Sequence, residues 1–165
     1  FRLRPALLDI SELIEKVIQH FRLQIERRGG SIILEAGAGN SKVLADEDHI
    51  RNVILNLLDN ANKYSLESPA IRIFTYNKPG KVYFGVEDHG IGMSGEVQRR
   101  IFDKFYRVTT GNIHNIKGFG LGLSYVKAIV LAHHGEIQVR SEPGKGSLIE
   151  IGLPLDNSEH KNLTA

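Results

Sequence analysis

The chain has 165 residues, with 21 Lys+Arg against 19 Asp+Glu for a net charge of +2, and 41% of it is apolar. That length supports one good core rather than two, and the absence of cysteine excludes disulfide scaffolds and thiolate metal sites and suits a reducing compartment. No apolar run approaches the roughly 20 residues needed to span a bilayer, the charge balance gives no reason to expect nucleic acid, and a chain that opens in mid-pattern without a leader is expected to be an excerpt of a longer protein.

Residues 1–9 read as an extended lead-in. Apolar residues at Leu13, Ile14, Val17, Ile18, Phe21 and Ile25 predict a helix over 10–28, with Ser11 or Asp9 as its N-cap and Gly29-Gly30 as its stop. Residues 31–36 and 42–45 predict two strands around a turn at 37–40. A second helix over 46–64 buries Ile50, Val53, Ile54, Leu57, Leu58 and Ala61. Strands at 71–76 and 82–87 flank Asn77-Lys78-Pro79-Gly80, a hairpin signal. A short helix over 94–102 precedes a loop over 103–119 without usable periodicity, a length that is uncommon unless functional. A third long helix over 121–133 and strands at 137–141 and 147–153 follow, and the polar stretch from 156 to 165 reads as a frayed tail. This order predicts a two-layer α/β sandwich, a mixed sheet with three long helices on one face, occupying residues 1–155.

Three clusters carry candidate chemistry. On the second helix Asn56, Asn60 and Lys63 share one side; amide oxygens suit a hard cation such as magnesium and the ammonium suits phosphate, although a solvated polar face has the same composition. Asp88-His89-Gly90-Ile91-Gly92 follows a strand: the carboxylate can accept from an exocyclic amine and the glycines let backbone approach a flat ligand, or the segment is a plain turn with an exposed acid. Gly118-Phe119-Gly120-Leu121-Gly122-Leu123 runs from the long loop into the third helix, where successive amides make an anion site or a hinge. Its spacing and the loop before it disfavour a Rossmann site, and no Gly-Lys-Ser/Thr follows to make a P-loop.

Taken in order, Asn56-x3-Asn60-x2-Lys63-Tyr64, Asp88-x-Gly90-x-Gly92, Phe102-x2-Phe105 and Gly118-x-Gly120-x-Gly122 resemble the catalytic ATP-binding (Bergerat-type) domain of bacterial sensor histidine kinases. Residues 101–107, Ile-Phe-Asp-Lys-Phe-Tyr-Arg, look like that family's phenylalanine box, and Pro143-Gly144-Lys145-Gly146-Ser147 matches its last glycine box. The resemblance implies that Asn56 and Asn60 hold magnesium and triphosphate, that Lys63 faces phosphate and Tyr64 lies beside the nucleotide. It further implies that Asp88 binds the adenine amino group, that Gly90 and Gly92 shape its pocket, and that Gly118, Gly120, Leu121, Gly122 and Leu123 contact phosphate at the hinge of an ATP lid over roughly 103–117. Arg107 is expected near the γ-phosphate. Phe119, where the family commonly has a small or polar residue, is a departure that could pack on the lid or plug the site.

The implied activity is transfer of the γ-phosphate of ATP, with magnesium, to a histidine on a separate dimerisation domain of the same parent chain. The resemblance also implies a response regulator downstream, and a cytoplasmic, monomeric domain within a homodimeric parent anchored in the inner membrane. None of His20, His49, His89, His114, His133, His134 or His160 stands in the phosphoacceptor pattern, so the acceptor is expected elsewhere. An anti-sigma-factor-type serine kinase is the rival within the fold, opposed by the phenylalanine and final glycine boxes; a nucleotide-binding module without transfer activity is the rival outside it.

Overall fold

The computed structural model describes residues 2–106 and 122–157. In chain order these form β1 (Ala6–Asp9), α1 (Ile10–Arg27), β2 (Ser31–Ala36), β3 (Lys42–Ala45), α2 (Glu47–Lys63), β4 (Ala70–Lys78), β5 (Lys81–Asp88), the short α3 (Gly95–Arg100), α4 (Gly122–Ala132), β6 (Glu136–Glu142) and β7 (Gly146–Pro154). The main sheet has the order β2-β4-β5-β7-β6. Among the described residues, the β2–β4 pair of this sheet is parallel and the other three pairings are antiparallel, so the sheet is mixed. Helices α1, α2 and α4 cover one face of it.

Periodicity explains the layering. Helix α1 buries Leu13, Ile14, Val17, Ile18, Phe21 and Ile25 together with Ile10, and α2 buries the six residues its pattern assigns. On the strands alternate residues face the helices: Ile71 and Ile73 of β4, Val82, Phe84 and Val86 of β5, and Ile149, Ile151 and Leu153 of β7 are buried. The opposite face carries Phe74, Tyr76 and Tyr83 as a stack, with Tyr76 and Tyr83 centroids 5.1 Å apart. Gly85 and Gly152 leave room beneath the Phe74 and Tyr83 rings. Tyr83 donates to Glu136, and that bond pushes its phenol up to about 12.

Residues 31–36 and 42–45 are strands, as their pattern predicts, and each pairs with a different partner. β2 runs parallel to β4, while β3 pairs antiparallel with β1 in a separate two-stranded sheet. The connecting segment is stitched to the end of β4 instead of folding back. Gly37 N donates to Thr75 O, Ala38 N to Thr75 Oγ1, and Asn40 and Asn77 exchange two bonds. The extended lead-in ends in β1, as a strand paired with β3. The short helix is α3, narrower than 94–102, with Ser94 as N-cap. The third long helix begins at Gly122 and closes at Ala132.

Helix α2 is fastened at both ends by other elements. At its start Asp46 caps the helix by accepting from His49 N at 3.1 Å and from Arg4 N at 2.8 Å, and the Arg4 bond is the main reason its carboxyl lies below the ordinary range. The Asp46 N–H donates to Nε2 of buried His133 at 3.0 Å, whose Nδ1 bonds Ile129 O at 2.8 Å. At the other end the Arg28 guanidinium donates to the carbonyls of Asn62, Ser65 and Glu67 and to Asn62 Oδ1. His133→Ala should therefore destabilise the fold by about 1–3 kcal/mol, because it strands a buried N–H; chemical denaturation measures it.

Candidate functional site

A cavity opens between the C-terminal half of α2, the end of β5 and the loop that follows it. Leu57, Asn60, Ala61 and Tyr64 of α2 form one wall, Val86, Asp88, Ser147 and Ile149 of the sheet form the floor, and Ile91, Gly92, Met93, Ile101 and Leu123 close the rim. Most of this lining is apolar, with Asn60, Tyr64, Asp88 and Ser147 carrying its polar side-chain groups, the composition of a site for a flat, partly polar molecule.

Asp88 is the electrostatic centre. It is buried at the last residue of β5. Its Oδ1 accepts from Gly90 N at 2.9 Å and Ser147 N at 3.3 Å. Burial raises its carboxyl above the ordinary 3.8, a rise these two N–H bonds partly offset. With Oδ1 held by backbone, the atom presented to a ligand is Oδ2, an acceptor suited to an exocyclic amine.

Glycines let three backbone segments converge beside it. A Cβ on Gly90 would lie 2.1 Å from Tyr64 O, one on Gly92 (φ +69°) 1.9 Å from Glu142 O, and one on Gly146 (φ +114°) 2.1 Å from Asp88 O. The Tyr64 carbonyl also accepts from Ile91 N at 3.0 Å, which joins the end of α2 to the loop after β5.

Asn56 and Lys63 stand on α2 but not among the cavity-lining residues. The Asn56 amide nitrogen donates to Asn52 O at 2.7 Å, so its Oδ1 is the atom it offers a cation. The Lys63 ammonium pairs with Asp59 at 2.7 Å, with both side chains largely covered. No cluster of three or more His, Cys, Asp or Glu able to hold a metal occurs among the described residues. Two amide oxygens fit magnesium only as it arrives with a phosphate and its waters, which supply the remaining ligands.

Of the residues singled out by sequence, the fold brings Asn60, Tyr64, Asp88, Gly92 and Leu123 onto one cavity, with Gly90 behind Asp88. Gly122 opens α4 at φ +49°. Arg107, Gly118, Phe119, Gly120, Leu121 and His114, and with them most of the lid, lie outside the described residues. Phe102 of the phenylalanine box packs against the core, whereas Phe105 is 93% exposed and holds φ +64°. Sequence reading passed over Ser147 and Ser141 as site residues. Ser141 Oγ accepts from Met93 N at 2.7 Å and lies 2.8 Å from both Ser147 Oγ and Gly146 O. Its only sequence signal was adjacency to the final glycine box.

Comparison with known proteins places this geometry in context. The family of histidine kinase-, DNA gyrase B- and HSP90-like ATPases matches residues 45–157. The sensor protein RprX of Bacteroides fragilis is 49% identical over 150 residues, covering 90% of this chain and 29% of RprX; the chain thus spans under a third of that relative. The nucleotide-free catalytic domain of the histidine kinase ThkA superposes with a TM-score of 0.80 at 26% identity, covering 92% of this chain and 95% of that one. Full-length ShkA in complex with AMPPNP superposes with a TM-score of 0.80 at 28% identity, covering 93% and 32%.

Proposed function

The chain belongs to the histidine kinase-, DNA gyrase B- and HSP90-like ATPases, and on that premise we propose that it is the portion of a sensor histidine kinase that binds ATP with magnesium and delivers the γ-phosphate to a histidine on the dimerisation domain of the same parent chain. The observation that carries the reading is Asp88, a buried carboxylate with one oxygen fixed by two backbone N–H groups at the floor of an apolar cavity. That arrangement recognises an amine on a flat ring, as on adenine, and AMPPNP bound by the similar ShkA carries that base.

From the adenine outward, Asn60 and Asn56 on successive turns of α2 would face the triphosphate and its magnesium, Lys63 would exchange Asp59 for phosphate, and Tyr64 would lie beside the nucleoside. Arg107 and the Gly118–Gly122 amides would take the far phosphates, a role resting on the motif alone. Phosphoryl transfer then needs positioning and charge neutralisation, with the partner's imidazole in line; no base need come from this domain. The exposed, left-handed Phe105 supports a working surface met by another domain. No helix among the described residues is long and apolar enough to cross a membrane; membrane anchoring, a cytoplasmic location, homodimerisation and a response-regulator partner belong to the parent in this reading.

Incubation with γ-labelled ATP should leave this chain unlabelled, and adding the helical-hairpin fragment of the parent should yield acid-labile label on that fragment. Label on this chain alone, lost on His114→Ala, would overturn the division between acceptor and catalytic parts. Label on neither piece despite nucleotide binding would favour the module without transfer activity.

A further inference from the structure

We propose that Gln98 is a positioning residue of the base pocket: its side-chain amide ties α3 and the Met93 loop to the end of β6, and through Ser141 and Ser147 keeps Asp88 in the register that adenine recognition requires. The inference rests on the ATP-binding reading and deepens it.

Helix α3 has no buried residue, so little apolar packing holds it in place. Gln98 Nε2 donates at 2.9 Å to Met93 O and at 2.9 Å to Ser141 O. These carbonyls belong to segments 48 positions apart, and Met93 N returns a bond to Ser141 Oγ at 2.7 Å. The result is a closed ring: amide to Met93, Met93 to Ser141, Ser141 back to the amide. Ser141 Oγ also lies 2.8 Å from Ser147 Oγ, and Ser147 N is one of the two donors on Asp88 Oδ1.

Both carbonyl oxygens require a donor, and a primary amide supplies two N–H groups from one nitrogen. A thioether of the same length supplies none. A carboxylate brings negative charge to two carbonyl oxygens. An ammonium restores donors. At the other end, α3 continues into Ile101, which like Met93 belongs to the cavity rim, so a displaced α3 would disturb rim and floor together.

The test is equilibrium binding of adenosine, ATP and guanosine to this chain carrying Gln98→Met, Gln98→Glu or Gln98→Lys, with the unfolding midpoint measured in parallel. Gln98→Met should weaken adenosine and ATP by the same factor, about three- to tenfold, as one or two neutral hydrogen bonds are lost. Gln98→Glu should weaken them further, and Gln98→Lys should regain most of the loss. The preference for adenosine over guanosine should shrink in the Met and Glu variants, a readout that general loosening of α3 would not order by donor count. Unchanged binding in Met and Glu, equal losses in all three variants, or loss of ATP with adenosine spared would each overturn the inference while leaving the ATP reading intact. Failure of the unsubstituted chain to bind adenosine or ATP would overturn that reading and the inference with it.

Discussion

Asp88→Asn is expected to leave the protein as stable at pH 7 as the parent, or more so, while weakening adenosine by about 1–3 kcal/mol. An asparagine must place its oxygen where Gly90 N and Ser147 N already donate. Its amide nitrogen then occupies the Oδ2 position and faces the adenine amine donor to donor. Flipping the amide does not help, since it sets a nitrogen against two N–H groups. The stability side follows from burial, which raises the Asp88 carboxyl above its ordinary 3.8. For an acid raised in the folded state, the folded form holds the proton to higher pH than the unfolded form. Its contribution is therefore fully present below the unfolded value and is lost as pH rises through the folded value. At pH 7 the buried charge is a cost, and Asn removes it. Denaturation at pH 7 and near pH 4 should show the variant's relative advantage shrinking on the acid side. Adenosine affinity of the parent should fall as Asp88 takes up its proton, with no such step in the variant. A variant that binds adenosine like the parent would remove Asp88 from base recognition.

Gly146→Ala should cost about 2–5 kcal/mol, combining left-handed strain with forced overpacking, and should abolish measurable adenosine binding. The added methyl would sit 2.1 Å from Asp88 O and 2.8 Å from His89 Cα, both backbone atoms that cannot rotate aside. Relief requires β7 to part from β5 where Ser147 pairs with Asp88, which breaks the N–H anchor on Oδ1. Gly144→Ala is the control. It shares a positive φ of 79° but meets nothing within 4 Å, so only the strain of roughly 1–2 kcal/mol remains and binding survives. Equal losses at the two positions, read by thermal denaturation, would show that contact with Asp88 is not what Gly146 protects.

The contrast between these glycines marks what a sequence can and cannot disclose. Gly144 and Gly146 look alike in Pro143-Gly144-Lys145-Gly146, and only the β5–β7 pairing separates them. Local signals were legible wherever periodicity or capping set the outcome, as in the buried stripes of α1 and α2 and the Asp9 cap. Asp88, Asn60 and Tyr64, which line one cavity, were singled out together only through the resemblance of their combined motifs, since each segment alone also reads as a polar face or a turn. The β1–β3 pairing was not, because the turn at 37–40 is held by Thr75 and Asn77, far off in sequence. Ser141, Ser147 and Gln98 escaped notice for a related reason. Their partners are mainly backbone groups and one another's hydroxyls, which leave no residue-type signature, and a serine in a strand reads as ordinary surface.

Helix α2, which lines the cavity, and α3, which lies in the chain between the rim residues Met93 and Ile101, differ in how they are mounted. Moving α2 along its axis would break the Asp46 bonds to His133 and Arg4 at one end and the Arg28 and Ile91 bonds at the other. By contrast, α3 buries no side chain, and the Gln98 amide ties it to Met93 and Ser141. In mechanical terms α2 is the bed of a vice and α3 a jaw whose setting depends on the Gln98 amide. A bed tied at both ends fixes the places of Asn60 and Tyr64 on the cavity wall. In the ATP-binding reading, the 93–101 segment is then where the site is adjusted, and substitutions there, Gln98 first, would change both affinity and the choice of base.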